Sequence, residues 1–157
     1  MQNIKSPTIQ NLEAAFAGES MAHIKYMWFA RQCRKVGDEA TAKVFEDTAA
    51  QEMLHAFGHA ELLFADETMT PAKCLQYAIE GETHEYTEMY PKFRHEAMQE
   101  GHDAAVAEID EQIAESKEHA EMFQAVLDKA AKRFAALAKV EEKHAKHYQA
   151  QKDAIAA

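Results

Sequence analysis

Cysteine, glycine and proline are scarce in this chain, and each scarcity excludes something. Only Cys33 and Cys74 are present among 157 residues. They form no C-x-x-C pair, which excludes a zinc ribbon, a rubredoxin-type iron site and a disulfide scaffold. Five Gly and three Pro leave too few turns for an all-β protein. No stretch reaches 18 apolar residues and Met1 to Pro7 has no apolar signal core, so neither a membrane span nor a secretory leader is expected. The expected setting is a reducing one, the cytoplasm. Basic residues are outnumbered 17 to 27, and the net charge of −10 argues against a partner that presents phosphates, so no nucleic acid is expected.

What is abundant is helix-forming residues, with 47% apolar and 28% charged side chains. One domain accounts for this length. Ser6-Pro7 reads as a cap followed by a first helical residue, and the helical pattern runs over about 7–36 until Gly37-Asp38. A second helix is expected over about 39–64, a loop over Ala65 to Thr70, and a third helix over about 71–100, ended by Gly101. Pro91 lies inside that third pattern and should kink it near Glu88 to Tyr90. From residue 102 to about 155 there is no Gly or Pro, so one very long helix is expected, or two joined near 127–132. Phe16, Met27, Trp28 and Phe29 read as core, and the two cysteines as buried thiols.

A repeat divides the chain. Gly18-Glu19 in the first helix is echoed by Gly81-Glu82 in the third, and Phe45, Glu52, His55 and Ala56 by Phe134, Glu141, His144 and Ala145 at the same spacing. A seam of alternating three- and four-residue steps from Ile109 to Tyr148 passes through Glu141 and His144, which a bland core would not place there. Two helical halves of this kind predict an all-α, ferritin-like four-helix bundle with an extended or additional C-terminal helix.

Glu52 to His55 and Glu141 to His144 are both Glu-x-x-His, whose two side chains share a helix face. One such motif is a common accident. Two of them, with a carboxylate from each of two further helices, make the ligand set of di-iron carboxylate bundles. Glu19 and Glu82 supply those carboxylates, and Glu85 can add another. Two close iron ions need anionic oxygens to offset their repulsion, and one imidazole each leaves positions open for dioxygen or peroxide. Zinc or manganese could occupy the same donors. Tyr26, two turns beyond Glu19, can hydrogen-bond a ligand carboxylate or donate an electron. His59 lies a turn beyond His55, and His84 points off the face of its neighbours.

Three segments carry a resemblance: Ala15-Phe16-Ala17-Gly18-Glu19-Ser20, the run from Glu52 to His59, and Gly81-Glu82-Thr83-His84-Glu85-Tyr86-Thr87-Glu88-Met89-Tyr90-Pro91. They resemble the rubrerythrin family over about residues 8–101, and again over about 129–150. The rubredoxin domain of full-length members is missing, so the chain is similar to the short, sulerythrin-like and symerythrin-like ones. The resemblance implies a non-haem di-iron site that reduces hydrogen peroxide with electrons from an external donor, a rubredoxin-like protein or a reductase. It matches Glu19, Glu52, His55, Glu82 and Glu85 to the family's ligand motifs. The family's last Glu-x-x-His would fall at residues 116 and 119, where this chain has Ser116 and His119.

The fourth-helix ligands therefore have two candidates. The repeat and the seam favour Glu141 and His144, delivered by a helix exchanged within a homodimer. Chain reversal at Gly101 favours Glu115 and His119, because Glu141 lies ~37 Å further along a straight helix at ~1.5 Å per residue. Two other functions fit the same helices: a ferroxidase that turns over ferrous iron with dioxygen, and a metal-free helical interaction module.

Overall fold

The computed structural model describes residues 6–64 and 68–156, so Met1 to Lys5, part of the loop expected over Ala65 to Thr70, and Ala157 lie outside the described residues. The chain is all-α, with no strand among the described residues. Helix α1 spans Pro7–Lys35, α2 Glu39–Leu63, α3 Pro71–His84, α4 Tyr90–Glu100 and α5 Asp103–Ala156. No described helix is long and apolar enough to cross a membrane. Two compact units divide at Met69 and Thr70.

The helices begin and end where local chemistry directs. Side chains of Ser6, Asp38 and Thr70 accept from the amides of Ile9, Thr41 and Lys73 at 3.3, 2.9 and 3.2 Å, and cap α1, α2 and α3. Pro7 and Pro71 follow their caps directly, where a missing N–H costs nothing. Gly37 and Gly101 close α1 and α4 with φ of 82° and 73°, a left-handed backbone that side chains disfavour.

In the N-terminal unit α1 and α2 form an antiparallel hairpin. Its partners descend on one helix as they rise on the other: Glu19 with Glu52, His23 with Ala49, Arg34 with Glu46. The buried residues of α2 are Ala42, Ala49 and Ala56, one every seventh position, with Ala30 buried on α1. Small side chains in that row let the backbones approach, close enough for the His23 imidazole to donate from Nδ1 to the Ala49 carbonyl at 2.8 Å. The α2-facing stripe of α1 is Glu19, His23, Tyr26 and Ala30. Trp28 lies ~200° from Tyr26 at ~100° per residue. Trp28 and Met27 are accordingly exposed rather than core, while Phe16 and Phe29 are half-buried. Ala49→Leu, at a side chain with no exposure, should overpack this row. It should destabilise the protein by about 1–3 kcal/mol and lower the melting temperature by several degrees in thermal unfolding.

In the C-terminal unit α3 and α4 are joined without a break by a π-helical segment, Glu85–Met89. This is the local answer to Pro91. Where the kink is expected, the helix is wound as a π-turn, in which the Tyr90 amide donates to the Glu85 carbonyl. The composite rod packs antiparallel to α5, clamped where Arg94 forks onto Asp110, with Nη2 to Oδ2 at 3.0 Å. α5 is one uninterrupted helix of 54 residues with no split near 127–132. Cys33 is half-buried and Cys74 exposed, so the second thiol is not the buried one expected.

Candidate metal centre

In the N-terminal unit Glu19, Glu52 and His55 converge. One ligand atom from each lies within 4.8 Å of the other two, a spacing that fits a metal ion; no other such group of three occurs among the described residues. The hairpin register brings Glu19 to α2, and the i, i+3 step puts Glu52 and His55 on one face, with His55 Nδ1 3.0 Å from Glu52 Oε2. A hydrogen bond to Glu52 pushes the Glu19 carboxyl above the usual carboxylate range, and burial and the Glu52 charge add to it, while His55 and His59 oppose. The same hydrogen bond holds Glu52 below that range, helped by His55. Glu19 therefore holds its proton to higher pH than Glu52 does, and the two carboxyls titrate as a coupled pair. Tyr26 places its ring against Phe29 and Phe45, with centroids 6.3 and 5.9 Å away.

A metal ion competes with protons for these donors. Because Glu19 holds its proton to higher pH than an ordinary carboxyl, binding of Co(II) to the metal-free protein should weaken as the pH falls through that raised range. Isotherms over several pH values check this, and affinity independent of pH would contradict it.

In the C-terminal unit a second group assembles from α3, the π segment and α5. His119 Nδ1 lies 3.4 Å from Glu82 Oε1. Ser116 Oγ donates to Glu85 Oε2 at 2.9 Å. The Tyr90 phenol is pushed up, first by burial and then by the charges of Glu85, Glu108 and Glu82, so it keeps its proton at neutral pH. Glu115 is exposed, and the residue of α5 that meets Glu85 is its neighbour Ser116. Glu141 and His144 pair with each other at 3.9 Å, with side chains 75% and 59% exposed. His84 turns outward to Glu88, 3.6 Å away.

Two contributions were not readable as such in the sequence. His23 fastens α1 to the α2 backbone one turn from Glu19, a role with no motif to announce it. The tie from Ser116 to Glu85 had a weak signal: a serine one position off the expected carboxylate, within one residue of the same distance from the turn at Gly101 as Glu85.

The rubrerythrin family model matches residues 10–127. The chain belongs to the rubrerythrin family. It is 37% identical over 129 residues to nigerythrin of Nitratidesulfovibrio vulgaris, covering 74% of this chain and 63% of that one. It is also 37% identical over 131 residues to rubrerythrin of the same organism, covering 75% and 68%. Rubrerythrin of Porphyromonas gingivalis is 37% identical over 134 residues, covering 78% and 66%. The chain thus spans about two thirds of the length of these relatives. A solved structure of nigerythrin in its fully reduced, all-ferrous state aligns over 83% of this chain and 70% of its own at 30% identity, with a TM-score of 0.40. Family membership puts the all-α chain in the ferritin-like fold class. The family match stops at residue 127, so it takes in Ser116 and His119 and leaves out Glu141 and His144.

Proposed function

We propose that the chain is a non-haem di-iron peroxidase that reduces hydrogen peroxide with electrons from an external donor protein. The observation that carries this reading is the convergence of Glu19, Glu52 and His55 in a chain whose family binds a di-iron centre. Carboxylate and imidazole donors suit iron, and also manganese and zinc. We assign Glu19, Glu52 and His55 as metal ligands in the N-terminal unit, and Glu82, Glu85 and His119 as metal ligands in the C-terminal unit. When bound, the two ferrous ions supply the two electrons of the overall change, H2O2 + 2 H+ + 2 e− giving 2 H2O.

The residues of the chain do the rest. Glu19 and Glu52 offer carboxylate oxygens, and His55, 3.0 Å from Glu52, offers an imidazole nitrogen. Tyr26 is assigned to the layer behind the ligands on α1, and Tyr90 keeps a protonated phenol beside Glu82 and Glu85. The donor that restores the electrons is of the rubredoxin or reductase type, the assembly is a homodimer, and the compartment is the cytoplasm.

The test is anaerobic reconstitution with ferrous iron followed by stopped-flow mixing with peroxide or dioxygen. Two irons per chain, oxidised by one peroxide much faster than by dioxygen, is the expected result. Repeated turnover of added ferrous iron by dioxygen would make it a ferroxidase instead. Failure to bind metal after reconstitution would overturn the di-iron reading and favour a helical interaction module.

A further inference from the structure

We propose that Ser116 is a positioning residue that fixes Glu85 as a metal ligand, and so supplies from the neighbouring helix the carboxylate that α5 itself lacks. This rests on the di-iron reading above.

Ser116 is the buried polar residue of the described chain, 4% exposed. A helical hydroxyl ordinarily folds back on its own helix. Ser20, Thr48 and Thr87 all do so, donating to the carbonyls of Phe16, Val44 and Thr83 at 2.7, 2.9 and 2.6 Å. Ser116 instead reaches across to a residue 31 positions earlier and donates to Glu85 Oε2. That bond occupies one oxygen of the carboxylate, limits its rotation and leaves Oε1 for a metal. Glu85 also opens the π segment, so its backbone and its side chain are both held, the first by the Tyr90 amide and the second by Ser116. One turn along, Glu82 meets His119.

Carboxylate bundles of this kind carry a Glu-x-x-His on each of two helices. On α5 the histidine is present as His119, and a serine stands three residues before it in place of the glutamate. The C-terminal unit therefore offers Glu82, Glu85 and His119 as donors, with Ser116 orienting one of them. A glutamate at 116 would add a negative charge beside these donors and favour the trivalent state of a bound iron.

The test uses the full-length protein with Ser116→Ala, Ser116→Thr and Ser116→Glu, titrated anaerobically with Co(II) alone and then examined as the iron form by redox titration. Wild type and Ser116→Thr should bind two Co(II) with matching visible spectra. Ser116→Ala should lose at least about tenfold in affinity for one of the two, the effect of losing an outer partner of a ligand. Ser116→Glu should shift the midpoint potential of the iron form to a more negative value. Unchanged Co(II) affinity and spectrum in Ser116→Ala, with only a lower melting temperature, would reduce Ser116 to a packing residue and overturn the proposal. So would an unchanged or more positive potential in Ser116→Glu. Wild type binding fewer than two Co(II) would instead bring down the di-iron reading itself.

Discussion

Glu52→Ala will leave the protein with fewer than one metal ion per chain and lower peroxide turnover by at least ~100-fold, the upper end of what losing a supporting group around a metal costs. Glu52 is the hub of its cluster. It is hydrogen-bonded to Glu19 on one side and lies 3.0 Å from His55 on the other. Its side chain is only 17% exposed, so water replaces it poorly. Alanine removes an anionic donor and at the same time frees Glu19 and His55 to rotate. Metal analysis after reconstitution, with circular dichroism to show that α1 and α2 persist, reads the effect. Two ions retained per chain would refute the assignment.

The second large effect separates the fourth-helix candidates. His119→Ala should cost about one of the two metals, because His119 is the imidazole that meets Glu82. The double variant Glu141→Ala, His144→Ala should keep both metals, because that pair stands apart with each side chain more than half exposed. The two variants remove comparable donors from the same helix, so opposite results cannot be ascribed to a general loss of α5. Loss of metal in the double variant with retention in His119→Ala would transfer the role to Glu141 and His144.

That choice also shows how far the sequence reaches. The caps at Ser6, Asp38 and Thr70 and the glycines at the turns announce the helices, because each is a local event with a local signal. Glu19, Glu52, His55, Glu82 and Glu85 are legible because their spacing places them on helix faces. Ser116 with His119 and Glu141 with His144 are 25 residues apart, close to seven turns, so both pairs lie on one stripe of α5 and periodicity cannot rank them. Distance from the turn does. Glu85 and Ser116 lie 16 and 15 residues either side of Gly101, and Glu82 and His119 lie 19 and 18, as partners in an antiparallel hairpin must. The π segment escaped because Pro91 reports only a missing donor.

The long helix α5 carries one more consequence. Up to Ala130 its residues alternate between covered and open, but from Ala131 to Ile155 every described side chain is exposed. The helix there is supported by its own i, i+4 pairs, such as Lys146 with Glu142 and Gln149 with Asp153, each worth only a few tenths of a kcal/mol. Helices in proteins draw most of their stability from packing an apolar face, which this stretch does not do. Deuterium uptake should therefore form a gradient along a single helix, slow at the amides around Ala120, fast beyond Ala131 and with no loop between them. Protection persisting to Tyr148 in the native protein would be the footprint of a neighbour resting on that end.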